Sequence, residues 1–256
     1  MTKILMHGCN GRLGQVISKL AKEDPDIEII LGIDVNENIQ NEYQVLASLD
    51  EFNSADYSTV DVIIDFSTAS AVPSLLNFVA KSKIPTVLCT TGLDKEQIEM
   101  MKQTSKNVPI FYSANMSLGI NLLINLANKA TKVLKNSGFD IEILEKHHNK
   151  KIDAPSGTAI SIAENIQKAL DSKYKLVSDR TIERKPRDKE EIGIHSIRGG
   201  TIVGEHDVIF AGNEEIITIS HKAMSREVFA TGAIKAAKYL IGKNPGLYDM
   251  NDLLED

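Results

Sequence analysis

Short, nearly continuous apolar runs recur through the first half of the chain, at Ile4–Met6, Ile27–Ile33, Val60–Phe66, Thr86–Thr90 and Val108–Tyr112. A strand that is apolar at almost every position has both faces covered, as in a parallel sheet layered between helices. Between the runs lie Arg12–Glu23, Ala69–Lys81 and Lys95–Lys106, with apolar residues at helical spacing and charged outer faces. The βα alternation predicts an α/β protein whose N-terminal part is a doubly wound parallel sheet.

The rhythm changes after Asn115. The pattern predicts a helix over Leu118–Leu134, a strand over Asp140–Leu144 and a helix over Ser156–Leu170, so a second domain starts near residue 118. Residues 171–191 are polar, with five basic and five acidic side chains between Asp179 and Glu191, which predicts a solvated loop. Strands are expected at Ile192–Ile197, Val203–Phe210 and Ile216–Ser220, the last two joined by a turn at Gly212-Asn213. Strands following one another without crossover helices predict a smaller α+β domain with a mixed, mostly antiparallel sheet. Arg226–Ile241 places Phe229, Ala233, Ala236, Ala237 and Leu240 on one helical face, and Pro245-Gly246 stops it.

Composition narrows the function classes. The 256 residues are 42% hydrophobic and 25% charged, ordinary for a globular chain of one or two domains. Aromatics are only 5% and Trp is absent, so the cores must be aliphatic. A formal charge of −6 offers no global attraction to nucleic acid or an acidic membrane. No apolar run approaches the ~20 residues needed to span a bilayer, and the chain enters its first strand without a signal-type segment. Cys9 and Cys89 form neither a metal-ligand pair nor a disulfide framework, so no metal is expected and reduced, buried thiols in the cytoplasm fit.

The first strand runs into His7-Gly8-Cys9-Asn10-Gly11-Arg12-Leu13-Gly14 and then a helix. Glycines there let the backbone turn sharply and approach a pyrophosphate at the helix N-terminus. The spacing is G-x-x-G-x-x-G, with Asn10 where the common fingerprint has its middle glycine; Asn tolerates positive φ. A glycine triplet can also merely close a tight connection, but a buried strand before it and a helix after it favour dinucleotide binding. Asp34 ends the second strand twenty residues after Gly14, placed to accept hydrogen bonds from the adenosine ribose and to repel a 2′-phosphate. Val35-Asn36-Glu37 add no cation, so NADH is expected over NADPH, with Arg12 the one nearby group that could admit both. Cys89-Thr90-Thr91-Gly92 and Ser113-Ala114-Asn115-Met116 end later strands at the carboxyl edge, where open α/β sheets bind ligands. Thr90 and Thr91 are either helix caps or cofactor contacts, and Met116 either core or a nicotinamide neighbour.

The densest cluster of titratable and anion-binding groups is Glu142 to Ala159, running from a strand end through a polar loop into a helix. Pro155-Ser156-Gly157-Thr158 make a helix start whose backbone N–H groups can hold a carboxylate. His147, His148 and Lys151 lie a few residues away, so one loop could bind and protonate an anion. Taken alone, the same residues also fit a solvated loop and a plain cap.

The pattern Glu-x-x-Glu-x-His-x-x-x-Lys-x-Asp-x-Pro-Ser-Gly-Thr-Ala, from Glu142 to Ala159, resembles the signature segment of the 4-hydroxy-tetrahydrodipicolinate reductase family. Similar landmarks follow in family order: the opening glycine turn, Thr90-Thr91-Gly92, Ala114-Asn115, the run Gly193 to Gly200, Val203-Gly204-Glu205-His206 and Ser220-His221-Lys222-Ala223. The resemblance implies a Rossmann-type domain over 1–117, completed by 223–256, and a substrate-binding and tetramerisation domain over 118–222. It further implies reduction of a small anionic dicarboxylate imine in diaminopimelate and lysine biosynthesis. By the same resemblance His147 is proton donor or acceptor, Lys151 a second donor, and His148, Gly157 and Thr158 substrate contacts. The cofactor set it implies is Gly8, Cys9, Asn10, Gly11, Arg12, Leu13, Asp34, Cys89, Thr90, Thr91, Ser113, Ala114, Asn115 and Met116. Where some members carry Glu then Arg, this chain has Asp34-Val35, which weakens recognition of a 2′-phosphate. His195, Arg198, His206 and His221 are read as structural or interdomain. The competing readings are another two-domain dehydrogenase of a small carboxylate, and a dinucleotide sensor without turnover, which would need neither His147 nor Lys151.

Overall fold

A computed structural model describes residues 1–36, 39–170, 174–182 and 185–255. Its contacts divide the chain into Met1–Leu118 with Glu227–Asp256, and Gly119–Arg226. The first unit opens with β1 (Thr2–His7), α1 (Arg12–Glu23), β2 (Ile27–Ile33), β3 (Gln44–Leu46), β4 (Val62–Asp65), α2 (Val72–Ser82), β5 (Thr86–Leu88), α3 (Lys95–Ser105) and β6 (Pro109–Tyr112). Then come α4 (Leu118–Leu134), β7 (Asp140–His147), α5 (Gly157–Leu170), β8 (Lys175–Val177), β9 (Glu191–Arg198), β10 (Gly204–Ala211) and β11 (Ile216–Ala223). The chain returns to the first unit with α6 (Glu227–Leu240), β12 (Gly246–Tyr248) and α7 (Met250–Glu255).

In the first unit the strand order is β12-β6-β5-β4-β1-β2-β3, with every ladder parallel. The order reverses beside β1, and a crevice opens at the carboxyl ends of strands at such a switch point. The continuous apolar runs are explained by two cores. Ile4, Met6, Val62 and Ile64 pack with Ile17 of α1 and Ala233 and Ala237 of α6, while Leu5 and Ile63 pack with Leu75, Val79 and Met101 on the other face. Small residues let α6 come close: a Cβ on Gly232 would lie 1.7 Å from the Met116 carbonyl oxygen. The expected helix from Ala69 starts instead as a 3-10 turn, Ala69–Ala71, before α2. The strands β3 and β12, three residues each, are too short for a period to show.

The second sheet has the order β11-β10-β7-β9-β8. It is mixed, as expected, but the antiparallel pairs do not predominate: β10 pairs antiparallel with β11 and β7, whereas β7–β9 and β9–β8 are parallel. Parallel neighbours need a crossover, and α5, following β7, supplies it. Ile141, Ile143, Ile192, Ile194, Val208 and Phe210 face Leu123, Ile162, Ala163 and Ile166 of α4 and α5. Both helices lie on that face, so the opposite face, carrying Glu142, Leu144, Ile197 and Ile209, has no helix over it among the described residues.

The polar segment is not merely solvated. Arg187 donates to Asp140 Oδ1 at 2.8 Å, Glu142 Oε1 at 2.9 Å and the Glu191 carbonyl at 2.7 Å. Arg180 pairs with Glu142 at 2.9 Å and with the buried Glu191, and β8 adds an edge strand. Charges of both signs spaced along a loop can satisfy one another against a sheet edge, which a count of charges does not reveal. Glu183 and Arg184 of this run, and Glu37, lie outside the described residues.

Candidate active site

The turn between β1 and α1 is closed by Gly8, at φ +80°, where a Cβ would lie 2.7 Å from the Phe66 carbonyl oxygen. A Cβ on Gly14 would lie 2.3 Å from the Gly8 carbonyl oxygen, so α1 can begin against the turn only with glycine there. The positive φ expected of Asn10 is absent, because Gly8 takes the left-handed position. Asn10 instead ties the loop together: its N–H donates to Asp34 Oδ2 at 2.9 Å, and its side-chain oxygen accepts from Asn41 Nδ2 at 2.8 Å. The other Asp34 oxygen accepts from the Asn36 N–H at 2.9 Å. No side chain caps α1. Above this turn is a cavity of about 400 Å³, with Gly8, Asn10, Gly11 and Asp34 in its wall. His7 and Ser67 also line it, neither singled out from the sequence.

The remaining expected cofactor residues do not line this cavity. Cys9 is buried beneath Gly32, and burial first, then Asp34, pushes its thiol up to about 11. Cys89 is buried in the same core, its thiol also raised by burial. Met116 is 2% exposed and packs in the core of the first unit. Capping of α3 falls to Asp94, in a capping box with Gln97, so Thr90 and Thr91 are not its caps. Thr90 is buried and donates to Asp65 Oδ2 at 2.6 Å, whereas Thr91 is exposed. Ser113 Oγ donates to the Asn115 carbonyl at 2.8 Å and Asn115 Oδ1 accepts from the Ser117 N–H at 2.9 Å, shaping the entry to α4. Arg12, Leu13 and Ala114 are outside the cavity wall.

In the second unit, period-two alternation along β7 turns Glu145 and His147 to the helix-covered face with Ile141 and Ile143. Glu145 is fully buried and saturated: Oε2 accepts from Arg198 Nη1 at 2.7 Å and His147 Nδ1 at 2.6 Å, Oε1 from Arg198 Nη2 at 2.7 Å and the Ser156 N–H at 3.0 Å. Burial raises its pKa, but Arg198, His147, the Ser196 side chain and the Ser156 N–H outweigh it and hold it down to about 2. An ionised Glu145 accepts only, so Nδ1 of His147 carries the proton and Nε2 has the lone pair. Burial pushes the His147 pKa down despite Glu145, so the ring is neutral at neutral pH. His206 stands edge-on to it, ring centres 5.3 Å apart, its pKa pushed to about 4 by burial and then by His147. A Cβ on Gly204 would come within 3.1 Å of His147 Nε2.

Lys151 pairs with Asp153 at 2.8 Å, and that contact, against some desolvation, holds the Asp153 carboxyl below its usual range. His148 is half-buried at the start of the same loop. The start of α5 is less open than its sequence implies: Ser156 N–H goes to Glu145, and Ala159 N–H to Ser156 Oγ at 3.1 Å. Gly157 is exposed, and a Cβ there would meet nothing within 4 Å, so packing within the unit does not require its glycine. Thr158 is half-buried.

Sequence reasoning placed Glu145 and Ser156 in the 142–159 segment without giving either a role, and left Arg198 and His206 out of the site. A Glu two residues before a His on a strand whose other inward positions are apolar was the available signal. Arg198 had none, since it meets Glu145 only through the β7–β9 register, in which His147 stands opposite Arg198.

Together, a parallel sheet with a glycine turn and cavity at its switch point and a separate mixed-sheet unit bearing a buried acid–base cluster define a two-domain Rossmann-type α/β protein. Family profiles for the N-terminus and C-terminus of dihydrodipicolinate reductase match residues 2–116 and 119–254. A 4-hydroxy-tetrahydrodipicolinate reductase of Caldanaerobacter subterraneus subsp. tengcongensis is 54% identical over 100% of this chain and 99% of its own. One from Brachyspira hyodysenteriae is 42% identical over 98% and 99%. The chain belongs to the dihydrodipicolinate reductase family. Among solved structures, a dipicolinate-bound dihydrodipicolinate reductase from Paenisporosarcina sp. TG-14 shares the fold, with TM-score 0.80 and 22% identity over 98% of this chain and 99% of that one. A myo-inositol dehydrogenase from Corynebacterium glutamicum has TM-score 0.59 over 100% and 93%, at 16% identity.

Proposed function

We propose that this chain reduces 4-hydroxy-tetrahydrodipicolinate to tetrahydrodipicolinate with a nicotinamide dinucleotide, NADH in preference to NADPH, as a cytoplasmic step of diaminopimelate and lysine biosynthesis. The observation that carries the reading is 54% identity over the full length to a reductase of that name, coupled to a clamped imidazole at the end of β7 and a lysine on the loop that follows it. The glycine turn supports the dinucleotide, since side chains at Gly8 and Gly14 would strike the Phe66 and Gly8 carbonyl oxygens and the tight turn that leads into the start of α1 could not form.

When bound, the reduced dinucleotide supplies hydride. The chain's own residues hold the diacid and manage the proton. Lys151 supplies a cation for a substrate carboxylate, with the start of α5 at Gly157 and Thr158 and the ring of His148 beside it. Because Lys151 is paired with Asp153, substrate binding exchanges one carboxylate partner for another. His147, neutral and bare at Nε2, takes up a proton before it can give one; Glu145 then stabilises the imidazolium, and Arg198 keeps Glu145 ionised while it does so. Ile197 and Ile216, 46% and 69% exposed on the helix-free side of the second sheet, support assembly of a homotetramer through that sheet.

The test is a coupled assay at 340 nm with pyruvate, aspartate semialdehyde and the upstream synthase. Cofactor oxidation that requires all three supports the reading; cofactor binding without turnover would replace it with a sensor.

A further inference from the structure

His7, Asp65 and Thr90 stand at the carboxyl ends of the adjacent strands β1, β4 and β5, with His7 opposite Asp65 in the parallel register. Asp65 is fully buried. Its Oδ1 accepts from His7 Nδ1 at 2.7 Å and from the Ser67 N–H at 3.2 Å, and its Oδ2 from the Thr90 hydroxyl at 2.6 Å. Among the described residues its one ion-pair partner is His7. Carboxylates sealed from water are costly and persist when every lone pair has a donor and something needs the charge. Nothing in the second unit's chemistry uses this one.

The cavity over the glycine turn gives it a use. Its described wall contains no Lys or Arg; Asp34 is acidic, and His7 is the one side chain that can become a cation. A dinucleotide brings two phosphate charges. With Nδ1 committed to Asp65, Nε2 is the ring nitrogen left for a ligand in the cavity that His7 lines.

We propose that His7 is a dinucleotide-contacting residue, held by Asp65 and Thr90 so that its ring donates to an anionic oxygen of the diphosphate. The proposal rests on the dinucleotide reading of the first unit. Asp65 and Thr90 are positioning residues, acting through the imidazole that stands between the buried carboxylate and the ligand.

Calorimetric titration tests it, with ADP-ribose and adenosine as probes beside NADH. Replacing a charge-assisted hydrogen bond by an apolar group weakens binding roughly 10- to 100-fold. The variant His7→Leu is expected to lose that much affinity for NADH and ADP-ribose, but less than about threefold for adenosine, which lacks phosphate. His7→Gln, which still donates but carries no charge, falls between. Equal losses for all three probes would make the effect steric and overturn the proposal, as would unchanged NADH affinity in His7→Leu.

Should His7→Leu fail to fold, the unmodified protein decides: the ring resonance absent from His7→Gln spectra shifts on adding ADP-ribose and stays put with adenosine if the proposal holds. No shift with ADP-ribose rejects it. An unmodified protein that binds neither NADH nor ADP-ribose removes the dinucleotide reading itself.

Discussion

Arg198 lies fork to fork against Glu145, Nη1 2.7 Å from Oε2 and Nη2 2.7 Å from Oε1, joining β9 to β7 beneath the 148–156 loop. Arg198 Nη2 also donates to the Asp153 carbonyl, so the same guanidinium fixes both the carboxylate that orients His147 and the loop that carries Lys151. Planar, two-pronged pairing of this kind is not reproduced by a lysine.

Glu145→Gln removes the charge that fixes the His147 tautomer and leaves Arg198 facing an amide. General acid–base groups contribute about 10²–10⁴-fold, and kcat is expected to fall by about 10²-fold or more while NADH affinity holds. Steady-state kinetics with NADH titration check it; kcat within threefold of the original would remove Glu145 from the mechanism. Arg198→Lys is expected to fall between the original and Arg198→Ala.

His147→Gln and Lys151→Ala separate two roles. Loss of Lys151 removes a cation from the loop and should weaken pyridine-2,6-dicarboxylate binding roughly 10-fold or more, whereas His147→Gln should mainly lower kcat. Competitive inhibition constants and turnover measured on both variants read the two effects apart. A variant pair with the original kcat would sink the acid–base assignment.

Asp34 places a carboxylate beside the cavity, with Val35 after it 90% exposed and uncharged. The expected outcome is kcat/KM for NADH exceeding that for NADPH by roughly 10-fold, in line with repulsion of a 2′-phosphate. Asp34→Asn should narrow the ratio, since an amide still accepts from the Asn10 N–H. An NADPH preference in the original chain contradicts the assignment.

Acid should destabilise the fold in two stages. His147 and His206 have folded pKa values below the ordinary 6.5, so the unfolded chain protonates first and stability declines as pH falls through that value. Glu145, at about 2 against its ordinary 4.5, stabilises the fold fully above 4.5 and loses that contribution as pH drops toward 2. The difference corresponds to about 3 kcal/mol. Melting temperatures from pH 8 to pH 3 check it, and Glu145→Gln should flatten the decline below pH 4.5; an unaltered profile in that variant contradicts the linkage.

Ile216→Asp puts a charge on the helix-free face of the second sheet. Light scattering is expected to show a tetramer for the original chain and a smaller species for the variant. A monomeric original chain overturns the assembly reading.

The sequence by itself determined most of the local structure. Buried parallel strands announced themselves because residues such as Ile4, Leu5 and Met6 each need an apolar neighbour, whichever face they meet, and α1, β2 and α4 were legible to the residue. The 142–159 segment was legible as a unit because the residues of one loop are neighbours in the chain, and its family pattern is long.

What the tertiary structure decided is pairing across distance. That β7 and β9 lie parallel with α5 between, that Arg198 reaches Glu145 and that Asp65 sits buried against His7 follow from which strands pair and in what register, and that Gly8 and not Asn10 takes the left-handed turn goes with the Phe66 backbone packed against it. Periodicity reports which face a side chain takes, but not which strand will lie beside it. Register is set by the summed fit of many distant side chains, so no local stretch of sequence encodes it.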